Sequence, residues 1–217
     1  MKKSAILSAL ILGLIGAIAA APAFAGTLYD NIGPTSNGGF GAMGLGAYPV
    51  SDSFTLSSSS TVTGVNFLVW LTPGDNLSSV DWSIGTSHFD ASIGAGTATT
   101  TSLGETNSNV GGTFNIFNEA ISISGLSLDA GTYWLTLHNA SAEGDFVYWD
   151  ISDGSSEAWA TNYGSLNGWA GYSGSNSETF QILGTEDTSV SPEPSSFLLL
   201  GSGLAGLAGL VTRKLKT

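Results

Sequence analysis

The sequence predicts an all-β fold: an antiparallel, jelly-roll-like β-sandwich, flanked by an N-terminal signal peptide and a C-terminal single transmembrane helix. Three observations lead there. Between Thr27 and Leu183 the apolar runs are short, rich in Val, Ile, Thr and aromatics, and broken by Gly, Asn, Asp and Ser, which is the pattern of strands and turns. That region carries no convincing amphipathic helix to act as a crossover, so the strands are expected to pair antiparallel. It also shows no repeat of fixed period, which argues against a β-helix or propeller.

The elements follow in chain order. Residues 1–25 form a signal peptide: Lys2 and Lys3 make the basic start, residues 6–21 are apolar, and Ala23-Phe24-Ala25 is a small-residue cleavage site. This segment calls for a Sec translocon and a signal peptidase as partners, and the mature chain starts near Gly26. Residues 26–185 form the β-sandwich domain. Residues 52–56 place Phe54 and Leu56 on one face. Residues 61–71, TVTGVNFLVWL, offer Val62, Phe67, Val69 and Leu71 to the core. Val80, Trp82 and Ile84 alternate along 80–84. Weaker strands are expected at 89–93 and 97–103. Strong ones are expected at 114–123 and 132–139, where Tyr133, Leu135 and Leu137 alternate with Trp134, Thr136 and His138. Residues 146–151 and 179–183 close a set of eight to ten strands. Turns are expected at Pro73-Gly74-Asp75-Asn76, Asp129-Ala130-Gly131 and Asp153-Gly154. Residues 186–191 are a linker.

Charge narrows the function. The chain carries five basic and 17 acidic residues, for a net charge of −12. Lys2, Lys3, Arg213, Lys214 and Lys216 lie at the two ends, so residues 26–191 contain neither Lys nor Arg. A domain with no cation cannot neutralise phosphates, which excludes nucleic acid as a partner. With no Cys, there is no disulfide framework and no thiolate metal site.

Catalytic signals are weak, and the chain is read as a non-enzyme with no catalytic residue. Its two histidines, His88 and His138, lie apart, and GTSHF at 85–89 is no nucleophile elbow. Asp145, Asp150, Asp153 and Glu157 cluster near Trp149 and Trp159, and such acids in principle serve glycoside hydrolysis, the remote alternative. Asp150 and Asp153 are also hard oxygen donors suited to Ca2+, although the segment does not match an EF-hand loop. Ca2+ is the one cofactor candidate. The segment 157–178, EAWATNYGSLNGWAGYSGSNSE, spaces Trp159, Tyr163, Trp169 and Tyr172 among small residues. These aromatics are candidate glycan contacts, since ring faces stack on sugars; the alternative is that they pack back onto the sandwich. Thr97, Thr99 and Thr101 form a single short row, too little for a flat ice-binding face.

The tail, 192–217, has three parts. Pro192-Glu193-Pro194 comes first, then fifteen uncharged residues at 197–211, then Arg213, Lys214 and Lys216. The two prolines fix φ and hold the motif extended. The apolar run rises roughly 22 Å as a helix, short of a ~30 Å bilayer core. With Ser195, Ser196 and Thr212 added it comes close to spanning, which places a transmembrane helix at about 196–212. The basic end stays cytoplasmic, so the domain faces outward. Gly201, Gly203 and Gly206 match a dinucleotide-binding fingerprint only by letter, with no βαβ unit around them.

This tail resembles the PEP-CTERM protein-sorting signal of Gram-negative bacteria, a tail that also goes by the name ice-binding protein C-terminal domain. Ser191 stands where the family usually has Val, with Val190 one place earlier. The resemblance implies an exosortase that recognises the motif and removes the helix, leaving the protein at the cell surface or in the exopolysaccharide matrix. The segments SDSFTLSSSSTVTGVNFLVWLTPGD, LSSVDWSIGT, LDAGTYWLTLHNA and VYWDISDG resemble a β-domain common among exported proteins of this kind; the likeness implies no activity. The resulting expectation is an exported, non-enzymatic surface or matrix (biofilm) protein, with a carbohydrate-binding module as the alternative and exopolysaccharide as a partner.

Overall fold

The computed structural model describes residues 26–32, 43–46, 48–110, 112–144, 146–152, 154–161, 164–165, 177–187 and 201–204. The strands, in chain order, begin with β1 (Gly26–Asp30), β2 (Met43–Gly44), β3 (Val50–Leu56), β4 (Ser60–Leu71) and β5 (Leu77–Gly85). There follow β6 (Gly94–Thr99), β7 (Thr101–Val110), β8 (Phe114–Leu128), β9 (Gly131–Ala142) and β10 (Tyr148–Trp149). The last five are β11 (Ile151–Ser152), β12 (Ala158–Ala160), β13 (Gly164–Ser165), β14 (Ser177–Glu178) and β15 (Phe180–Glu186). Among the described residues, 26–187 form an all-β domain in which every strand pairing is antiparallel.

Two large sheets carry the fold. In the first, β1 pairs β15 and β15 pairs β4; the far edge of β4 pairs β8, and β8 pairs β7. In the second, the order is β13-β12-β3-β9-β5-β6. Their inner faces share one core. Val62, Phe67, Val69 and Phe180 come from the first sheet; Phe54, Trp82, Ile84, Leu135 and Leu137 come from the second. Alternation explains this set, because period-two side chains on each strand face one way.

The parity of β4 changes midway. Val62 faces the core, and so do Val65, Phe67, Val69 and Leu71. An even position is followed by odd ones because β4 carries one extra residue against β15, where Val62 pairs Gly184 and Gly64 pairs Leu183. That bulge moves the side chains over by one. Gly64 is required there: a Cβ would lie 2.8 Å from the Ile121 carbonyl oxygen. Beyond the bulge β4 is buried on both faces, since Leu68 and Trp70 form a second small cluster with Ile116.

Three expectations need correction. Residues 89–93 are a loop rather than a strand; Asp90 accepts hydrogen bonds from Thr86 and Ser92 and ties the chain into a turn before it can extend. Residues 97–103 are two strands, β6 and β7, which belong to different sheets and meet at Thr100. Residues 146–151 are likewise broken at Asp150, with β10 in the first sheet and β11 paired only to β14. Among the described residues no helix is long and apolar enough to cross a membrane. Residues 201–204 are helical; the rest of the expected 196–212 helix, like the signal peptide, lies outside the described residues.

Candidate functional site

The outer face of the second sheet carries a groove of about 380 Å³. Pairing builds its floor. Asp81 on β5 sits opposite Thr97 on β6 and opposite His138 on β9. The next row sets Ser83 opposite Thr136, which in turn faces Ser51 on β3. These residues point outward because their neighbours Val80, Trp82, Leu135 and Leu137 point into the core. The 86–92 loop and Pro49 supply the rim, with Phe89 and Ala91 on the loop.

The first row is polar and organised. Thr97 Oγ1 donates to Asp81 Oδ1 at 2.5 Å, and Asn139 Nδ2 donates to Asp81 Oδ2 at 2.8 Å. His138 Nδ1 lies 4.0 Å from the same Oδ2. The Thr97 and Asn139 hydrogen bonds hold the Asp81 carboxyl below the usual carboxylate range. Asn139 adopts φ 47°, in the left-handed region that Asn tolerates better than most residues.

The second row is hidden by the loop. Ser83 Oγ donates to the Asp90 carbonyl, and the Phe89 amide donates to Ser51 Oγ. Thr136 Oγ1 donates to the same Ser51 hydroxyl at 3.0 Å. Ser51, Ser83 and Thr136 are therefore buried although they belong to the outer face. Hydrogen bonds from Ser92 and Thr86 push the Asp90 carboxyl down to about 2. Gly85 has no room for a side chain, since a Cβ would meet Asp90 at 2.5 Å. Phe89 sits at φ 61°, which is unfavourable for a bulky residue.

Beside the groove lies an aromatic cluster. The His88 ring stacks on Trp159 at 4.4 Å and meets the edge of Trp134 at 5.5 Å. Trp159, a residue singled out from sequence, thus lies half-buried on β12 against His88. Its companions Tyr163, Trp169 and Tyr172 lie outside the described residues. So do Asp153, Ala23, Ala25, Pro192, Glu193, Pro194, Arg213, Lys214 and Lys216.

A second polar constellation is internal. Asp52 shares the inward face of β3 with Val50, Phe54 and Leu56, so its side chain enters the core and is fully buried. Its Oδ2 accepts from Glu178 N at 2.6 Å and from Ser156 and Ser177 Oγ at 3.1 Å each. Asn31 Nδ2 donates to Ser156, Ser177 and the Glu178 carbonyl. This hub ties the end of β1, the start of β3, the turn before β12 and β14 together. Burial pushes the Asp52 carboxyl up to about 7, against the opposing hydrogen bonds.

Asp150 is also fully buried. One of its oxygens accepts the Trp70 indole N–H at 2.6 Å, and burial raises its carboxyl to about 7. Among the described residues no group of three His, Cys, Asp or Glu stands ready to hold a metal ion.

The sequence points to Trp159 and Asp150 but does not single out Phe89, Asp81 or Asp52, and it places His138 only on the 132–139 strand. The signal for Asp81 was its place between Val80 and Trp82, which turns it outward. Nothing in the sequence says that β6 and β9 flank β5, and that pairing is what makes the row.

No curated protein matches the chain. Residues 192–214 match the family model of the PEP-CTERM protein-sorting motif. The chain thus carries a PEP-CTERM protein-sorting motif behind an all-β domain, and the motif implies export to the cell surface or beyond with an exosortase as its processing partner.

Proposed function

We propose that this is a non-enzymatic protein of the cell surface or extracellular exopolysaccharide matrix, delivered as an acidic β-domain and detached from its membrane anchor at the tail. The observation that carries the reading is the match of residues 192–214 to the sorting motif. Composition agrees with it. A mature region without Lys, Arg or Cys remains soluble through like charge and needs no redox compartment. The domain is read as a jelly roll. The neighbour orders β1-β15-β4-β8 and β3-β9-β5-β6 support this, because eight strands wound as two Greek keys give that interleaving.

The test is made in the host. Fractionation with an antibody to the β-domain should find a chain shortened at the C-terminus in the surface or matrix fraction. Replacing Pro192, Glu193 and Pro194 together by Ala should hold an uncut precursor in the inner membrane. Equal arrival of the unprocessed variant at the surface would reject the tail as the address.

A further inference from the structure

We propose that the groove on the outer face of the second sheet is a binding site for an uncharged saccharide, with Phe89 as the stacking platform and Asp81, Thr97 and His138 as the hydroxyl partners. The inference rests on the surface or matrix reading only in naming a glycan of that setting as the ligand.

Four observations converge. The first is size: about 380 Å³ falls in the range of small-ligand sites. The second is the mixed lining. Phe89, whose ring also leans on His88, and Pro49 line the rim with apolar rings, while Asp81, Thr97 and His138 bring a carboxylate, a hydroxyl and an imidazole to the lining. A pyranose has the same division, with C–H bonds on its faces and hydroxyls around its edge.

The third is hydrogen-bond polarity. Asp81 accepts from Thr97 and Asn139, which uses two of about four carboxylate lone-pair sites. Thr97 spends its hydroxyl proton on Asp81, so its remaining capacity is to accept. A floor dominated by acceptors suits a ligand made of O–H donors. It repels an anion, and no Lys or Arg exists between residues 26 and 191 to reverse that. Uronates and phosphates are therefore the wrong class.

The fourth is the strain at the rim. Phe89 is held at φ 61° by the bond from its amide to Ser51 and by the Asp90 turn. Gly or Asn would occupy that position at lower cost. A phenyl ring kept there and half-exposed at the mouth of a groove is what a stacking platform requires.

The strain also gives the cleanest test, because Phe89→Gly removes the ring while easing the backbone. Calorimetric titration uses the full chain in mild detergent. The probes are gluco-, manno- and galacto-oligosaccharides, with a uronate oligosaccharide as the anionic control. At least one neutral series should bind, with the same affinity in EDTA and in calcium, while the uronate does not. Phe89→Gly and His138→Ala should each weaken that binding about tenfold or more, and Phe89→Gly should melt at the wild-type temperature or above. The proposal is overturned if no neutral probe binds, if both variants bind as the wild type does, or if the uronate with calcium is the preferred ligand. None of those results bears on the route to the surface, which the fractionation of the tail variant decides separately.

Discussion

Asp52 shows what one residue does to this molecule. An apolar side chain would suit its position between Val50 and Phe54, yet its carboxylate organises Ser156, Ser177 and the Glu178 amide. Asp52→Ala removes the acceptor and leaves those buried donors without it. The expected loss is roughly 3 kcal/mol, read as a lower denaturant midpoint. Asp52→Asn keeps one acceptor oxygen and the volume, so it should cost less at neutral pH. Phe89 is the opposite case, a residue whose backbone opposes it. Alternation along β5 and β9 decides which way Asp81 and His138 point; no sequence feature foretold the left-handed φ of Phe89, because the Ser51 contact that supports it comes from a distant strand.

Elements add constraints that residues alone do not carry. The central strand β4 changes parity at its bulge, and both flanking strands shift beside it: β8 opposite Val62 and Gly64, β15 between Leu183 and Gly184. Gly184 is as crowded as Gly64, since a Cβ would lie 2.1 Å from the Thr61 carbonyl oxygen. Gly64→Ala or Gly184→Ala forces backbone apart and should destabilise by about 1–3 kcal/mol. Thermal melts of the two variants check it; wild-type stability in both would mean that the bulge relaxes freely. The short strand β12 is held differently. It pairs with β3 and β13 and lays Trp159 on His88. Trp159→Ala should cost about 1–2 kcal/mol, seen in the same melts. The strong strands were legible from composition, but 89–93 was misread because Phe89, Ile93 and their neighbours look like a strand until the hydrogen bonds to Asp90 are seen.

At the scale of the whole molecule the dominant variable is pH. Asp52 and Asp150 both have carboxyls raised to about 7 by burial, against an ordinary value near 3.8. A raised carboxyl favours the folded state when protonated. Its stabilisation is complete below the unfolded value and is lost as pH rises through about 7. Between pH 5 and pH 8 each group should remove about 2–3 kcal/mol of stability. Self-repulsion among the acids of a region without Lys or Arg acts in the same direction. Asp90, whose carboxyl is lowered to about 2, acts the other way, but only once pH falls below about 4. The domain should therefore unfold at higher denaturant at pH 5 than at pH 8, and Asp52→Asn together with Asp150→Asn should flatten the difference. A wild-type midpoint that rises from pH 5 to pH 8 would contradict the assignment.

By itself the sequence determined the class and the address. Short apolar runs of period two can bury one face only by forming sheets, and a Pro-Glu-Pro motif before an apolar run and a basic end is contiguous, so both are readable without any fold. It also determined what the domain cannot hold, because residues absent from the chain cannot be supplied by folding. Only the tertiary structure decided the groove and the hub. Thr97, Asp81 and His138 become one row through the pairing of three strands. Asn31, Asp52, Ser156 and Ser177 meet although up to 146 positions separate them. Strand order is a long-range property, and side chains that act together across it leave no spacing in the sequence to be read.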